Sequence, residues 1–192
     1  MPAPAWGPRA EAAYWSPSPV HGYRVWRVQS RALTGARRPW RAPAMTAVCL
    51  RTGATAGVPH WNGECGAPGC GIYARRELRG IRGLRARASV PGTVAGLVSL
   101  SGTVVEHEHG YRAERSAVLA AGSLWGDRLV VGWSDAWLAA LFADPVATLS
   151  GRGPMAQIEA PVTAGGRGVS MAILADRLEE IGADPSALGR EG

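Results

Sequence analysis

Two strand-like runs meet at His109-Gly110, and they constrain this chain more than anything else in it. Thr93–Glu108 is β-branched and apolar with Gly96 and Gly102 inside, and Tyr111–Leu119 continues the pattern past the turn. A glycine able to take positive φ between two such runs predicts an antiparallel hairpin. A glycine inside a strand marks a bulge or the close approach of another group, so Gly96 and Gly102 are expected at such points. The core is therefore expected to be β-rich.

The flanking segments supply further elements. Gly22–Val28 alternates, with Tyr23 and Val25 on one parity and Arg24, Trp26 and Val28 on the other, and reads as a strand. Met45–Leu50 reads as a short strand carrying Cys49, and Asp127–Trp133 as another. Ser134 is a good N-cap, with Asp135 in the first turn, for a helix to Phe142 that Asp144-Pro145 ends. Met171, Leu174, Leu178 and Ile181 share one face of a helix over Met171–Ile181, with Gly182 as its C-cap. Pro2, Pro4, Pro8, Pro17 and Pro19 argue against helix and central strand near the start, which reads as an extended arm. Residues 150–168 hold five glycines and read as a linker. The expected organisation is an arm over 1–21, a β-rich domain over 22–149, a Gly-rich linker over 150–170, and a C-terminal helix and tail over 171–192.

A length of 192 residues fits one domain with an appended element, and 46% hydrophobic against 19% charged residues excludes wholesale disorder. No run reaches the ~18 apolar residues of a membrane helix. Residues 1–19 lack the apolar core of a signal peptide. A soluble, cytoplasmic protein with no membrane partner is expected.

The net charge of +6 is unevenly placed, and all 21 basic residues are Arg. Residues 1–90 hold 14 Arg against Glu11, Glu64 and Glu77, whereas residues 91–192 hold seven Arg against 12 acids. One basic end attracts polyanions, unless the two halves pack together and neutralise each other. Within the basic half, Arg76, Arg79, Arg82 and Arg85 recur every three residues beside Leu78, Ile81 and Leu84. On a helix these rows make adjacent Arg and apolar stripes, although Gly80 and Gly83 each weaken a helix by about 1 kcal/mol. A short helix and an irregular loop both remain open. With Arg75 and Arg87 these arginines form a candidate nucleic-acid surface. Tyr23, Trp26, Trp40, Trp61 and Tyr73 interleave with the basic residues as candidates for base stacking or for core packing.

Three cysteines are too few for a disulfide framework. Cys49, His60, Cys65 and Cys70 follow Cys-x10-His-x4-Cys-x4-Cys, the donor set of a Cys3His zinc site. The Gly- and Pro-rich chain between them cannot order itself by apolar burial, and a bound Zn2+ ion would do so. With four protein ligands the site is closed and structural; with three, an open position beside Glu64 could support hydrolysis. The expected fold class is α+β: a β-rich core of antiparallel hairpins with a metal-stapled loop and C-terminal helices.

The hairpin tip concentrates ionisable groups. His107 and His109 share one face of a regular strand, and Arg112 and Glu114 share a face beyond the turn. If the register sets Glu114 against His107, the pair could transfer protons near neutral pH; if it sets Arg112 there, an anion site is favoured. The alternative is a solvated tip with cross-strand ion pairs. No P-loop, dinucleotide fingerprint or nucleophile elbow occurs.

The segments Gly22-Tyr23-Arg24-Val25-Trp26, Cys70-Gly71-Ile72-Tyr73-Ala74, Glu106-His107 and Gly110-Tyr111-Arg112-Ala113-Glu114 resemble a family of uncharacterised actinobacterial proteins over roughly residues 22–120. The resemblance implies no activity and no catalytic residue. Here Cys65 and Cys70 stand further apart than the family's pattern, and Ser101 precedes Gly102 where that pattern has Trp. The readings to be weighed are a non-enzymatic zinc-stabilised module binding nucleic acid, a protein-interaction component docking through the C-terminal helix, and a small hydrolase using His107 or an open zinc.

Overall fold

The computed structural model describes residues 12–35, 38–49, 71–78, 92–161 and 166–183; for 12–17 and 166–172 it describes the backbone alone. The strands are β1 (Ala12–Gln29), β2 (Ala32–Thr34), β3 (Pro39–Trp40), β4 (Ala44–Thr46), β5 (Ile72–Arg75), β6 (Thr93–His107), β7 (Gly110–Trp125), β8 (Arg128–Gly132) and β9 (Ile158–Pro161). The helices are α1 (Asp135–Ala143), α2 (Pro145–Leu149) and α3 (Gly166–Ala183). The architecture is α+β, one antiparallel sheet with helices against it. No helix among the described residues is long and apolar enough to cross a membrane.

The expected hairpin is the middle of the sheet. β6 pairs with β7 from Val94↔Ser123 to His107↔Gly110, and its other edge pairs with β1 from Arg27↔Thr93 to Ala12↔Glu106. The turn is Glu108-His109, and Gly110 lies inside β7 without a positive φ. Its glycine serves close approach instead: a Cβ there would stand 2.1 Å from the Ala74 carbonyl oxygen of β5. Gly102 does take a positive φ of 77°, where the β6–β7 register shifts between Ser101 and Val104.

The N-terminal arm is corrected from residue 12 onward, since β1 runs unbroken past position 21. Pro17 and Pro19 fall where its register with β6 shifts, between Ser16 and Val20. Prolines cannot donate to a ladder, so they sit where the ladder is interrupted. The linker is also corrected. β9 lies within it and pairs with β8, and α3 begins at Gly166 instead of Met171. Gly182 is inside the helix, where a Cβ would lie 2.5 Å from the Tyr23 hydroxyl.

β4 stops at Thr46, short of the strand expected to reach Cys49. β4 and β5 occupy one edge of β7 in succession: Thr46 pairs with Arg115, the Ala47 N–H donates to the Glu114 carbonyl at 2.8 Å, and Ile72 pairs with Ala113. They are one edge strand interrupted by the chain between. β5 also meets β1 at Tyr23↔Arg75, so β1, β6, β7 and β5 close a small ring.

Each sheet face has its own core. One joins Trp26, Leu33, Trp40, Val98, Leu100 and Val104 to Trp137, Leu141 and Phe142 of α1. Trp26 stands edge-on to Trp40 at 5.3 Å and to Phe142 at 5.8 Å between centroids. The other joins Tyr23, Ala95, Leu97, Ala120 and Leu124 to Leu174 and Leu178 of α3. Leu174 and Leu178 of the α3 stripe are thus buried on the sheet, with Ile181 partly buried beside them. Ser134 caps α1 as expected, accepting from Trp137 N at 3.2 Å. Asp144 then caps α2, with Pro145 as its first residue.

Candidate functional site

The basic half contributes the side chains from which a site can be built. Residues 12–49 hold six arginines and no acid. Among the described arginines of this half, Arg27, Arg31, Arg38, Arg41, Arg75 and Arg76 are exposed. Among the described residues, two ion pairs join the halves: Arg31 to Asp144, and Arg76 to Glu106. The Asp144 carboxyl is held below the usual carboxylate range, first by the Ala147 N–H and then by Arg31. Neutralisation between the halves therefore occurs, and it engages Arg31 and Arg76.

Of the arginines proposed for nucleic acid, Arg75 closes β5 as a strand residue, and Arg76 follows it outside any helix. Arg76 lies over the Tyr111 ring at 5.0 Å and donates to the His107 carbonyl at 3.3 Å, besides pairing with Glu106. It clasps the hairpin beside its turn. Arg79, Arg82, Arg85 and Arg87 lie outside the described residues.

The aromatic interleaving resolves mainly into packing. Trp26 is 0% exposed and Trp40 2%, and Tyr23 is buried against α3, so these rings are not free to stack on bases. Tyr73, on the solvent side of β5, is 45% exposed. Trp61 lies outside the described residues.

The hairpin register decides the His107 question. Gly110 stands opposite His107, and Arg112 stands opposite Val105, one step along the same face. The Glu114 carboxylate accepts from Thr103 N at 3.2 Å, at the bulge where a Cβ on Gly102 would meet it at 2.7 Å. Glu114 thus supports the bulge, and neither Arg112 nor Glu114 is the direct cross-strand partner of His107. His109 is in the turn, 3.5 Å from Glu108, and both are exposed.

Cys49 is buried at 2% exposure, beyond β4. His60, Cys65 and Cys70 lie outside the described residues. Among the described residues alone, no group of three His, Cys, Asp or Glu side chains could hold a metal.

Sequence reasoning missed Arg24. It lies on the Trp26 parity of β1, half-buried, with its guanidinium 4.7 Å from the centre of the Trp40 ring and its Nη1 donating to the Tyr73 carbonyl. Burial pushes its pKa down to about 10. No carboxylate among the described residues pairs with it. The only signal in the sequence was an arginine on the same parity as a core tryptophan. Comparison with protein-family models, curated proteins and solved structures gives no match.

Proposed function

We propose that the protein is a non-enzymatic, zinc-stabilised module that binds nucleic acid through its arginine-rich surface. The supporting observation is the acid-free stretch 12–49, whose Arg27, Arg38 and Arg41 are exposed and make no ion pair among the described residues. Arginines of this kind neutralise backbone phosphates and release counterions. Arg79, Arg82, Arg85 and Arg87 extend the same surface in the proposal. Arg76 is left out of the contact set, because it is committed to Glu106 and Tyr111.

Zinc held by Cys49, His60, Cys65 and Cys70 belongs to the same proposal. Its support is the interrupted edge strand. Ala47 and Ile72 occupy successive positions on β7, so the chain between them leaves and re-enters the sheet at one place. Cys49 and Cys70 flank that exit and re-entry in sequence. A closed four-ligand site there would order the excursion without catalysing anything.

The test is fluorescence anisotropy with single-stranded RNA of two unrelated sequences across a salt series. Binding at low salt, falling steeply as salt rises and weakened about equally for both sequences by Arg79, Arg82, Arg85 and Arg87→Gln, is expected. Absence of binding at low salt rejects nucleic acid. Elemental analysis should find one zinc per chain, and Cys70→Ser or a chelator should lower the melting temperature. Melting unchanged by both rejects the structural metal.

A further inference from the structure

We propose that Tyr73 is a stacking platform for an unpaired base, with Arg75 beside it to meet the phosphates of the same strand. The inference rests on the nucleic-acid reading and deepens it, because the occupant is a single strand. Tyr73 is 45% exposed, whereas the other aromatic rings whose side chains are described are buried or half-buried. Ile72 and Ala74 belong to the core around Trp26, so alternation along β5 turns Tyr73 and Arg75 outward together. The core takes its area from Ile72 and Ala74 and leaves nearly half of the Tyr73 ring in water.

The ring stands on fixed backbone. Tyr73 pairs with Arg112 of β7, and two residues on, Arg75 pairs with Gly110 of β7 and with Tyr23 of β1. The Tyr73 carbonyl accepts from Arg24 Nη1. β5 is therefore held from both sides, and a tyrosine has only two side-chain torsions to fix when a base lands on it. Little ordering cost is left for binding to meet.

Positive charge flanks the ring. Arg75 is exposed on the same face, ~6.6 Å along the strand, and makes no ion pair among the described residues. Arg112, opposite the ring, lays its stem across Gly71, where a Cβ would stand 2.5 Å from its Cγ. Of the nearby carboxylates, Glu114 is turned to β6, where it accepts from Thr103 N, and Glu77 is exposed beyond Arg76. Leu78, which precedes Arg79, is buried with Tyr23 in the core under α3, and Tyr23 is the cross-strand partner of Arg75. The chain thus approaches its Arg79–Arg87 run from the sheet face that carries the ring. Stacking needs a base with a free face, and in a duplex both faces of each base are taken by its neighbours. Every base has such a face, so the platform selects single strands without selecting sequence.

Fluorescence anisotropy of the full chain with a short labelled RNA, single-stranded or annealed to its complement, tests it. Tyr73→Ala should weaken single-strand binding at least about fivefold and duplex binding less than about twofold, with the salt slope unchanged because no charge is lost. Tyr73→Phe keeps the ring and should stay within about twofold of the wild type on both RNAs. Arg75→Gln should flatten the salt slope on both. A 2-aminopurine base in the strand reports the stack itself: binding to the wild type should quench its fluorescence, and binding to Tyr73→Ala should not. Single-strand binding unchanged in Tyr73→Ala, an equal loss on the duplex, or quenching that persists without the ring overturns the platform and leaves the arginine-rich surface standing. No binding of either RNA to the wild type at low salt rejects that surface and the platform with it.

Discussion

Arg24 and Arg76 occupy similar settings beside the junction of β1 and β5, and they differ in one respect. Each lies over an aromatic ring, at 4.7 Å and 5.0 Å, and each donates to a backbone carbonyl. Arg76 adds a carboxylate, Glu106, which pairs with it beside the hairpin turn. Arg24 has none among the described residues. Ring stacking orients a guanidinium without cancelling its charge, and a carboxylate cancels it. The paired arginine is a structural clasp. Arg24 keeps a charge that no carboxylate among the described residues cancels.

The largest effect should come from removing the ring under Arg24. Trp40→Ala empties a site packed against Trp26 and Phe142, and should cost ~3–5 kcal/mol in urea unfolding. Trp40→Phe should recover much of that stability, since it keeps a ring under the guanidinium. Equal losses in Trp40→Phe and Trp40→Ala would show that the ring beside Arg24 contributes nothing of its own.

On the hairpin that Arg76 clasps, the backbone carries more of the burden. Gly102→Ala places a side chain at φ 77° and within 2.7 Å of the Glu114 carboxylate. A cost of ~1–2 kcal/mol is expected from the backbone alone. Thermal unfolding unchanged by this variant would show that the bulge does not stabilise the hairpin.

Arg76→Gln tests the clasp directly. Its ion pair is about a third exposed on both sides, so solvent screening holds the loss to roughly 0.5–1 kcal/mol. Added salt should shrink the difference between Arg76→Gln and the wild type, since it screens the ion pair. Urea unfolding unchanged by Arg76→Gln at low salt would show that the pair is no clasp.

The smallest effect concerns the third arginine, Arg31, and its partner. The folded state lowers the Asp144 pKa, so the contribution is complete above the unfolded value and is lost as pH falls through the folded one. Wild-type melting should therefore drop below about pH 4, the ordinary carboxylate range. Asp144→Asn keeps a capping oxygen for Ala147 and should drop less over the same interval. Parallel curves would remove Asp144 from the acid response.

Elements whose signal is local were legible. Alternation identified the core of β1, the β-branched runs identified β6 and β7, and Ser134 with Asp144-Pro145 bounded α1. Leu174 and Leu178 were placed on the buried face of their helix. The site was read less well. Tryptophans near arginines looked available for stacking, but a ring alone does not say whether another ring will close over it.

What the sequence determined by itself was an antiparallel β core, one capped helix, an amphipathic helix near the end and a basic first half, because periodicity, capping and charge are properties of neighbouring residues. Only the tertiary structure decided which charges were cancelled. Glu106 meets Arg76 from 30 positions away, and Asp144 meets Arg31 from 113. Nothing comparable reaches Arg24 among the described residues. Whether an arginine is a clasp or a binding group depends on what packs against it from elsewhere in the chain. Pairing over such separations follows from sheet register and helix docking, which no local pattern specifies.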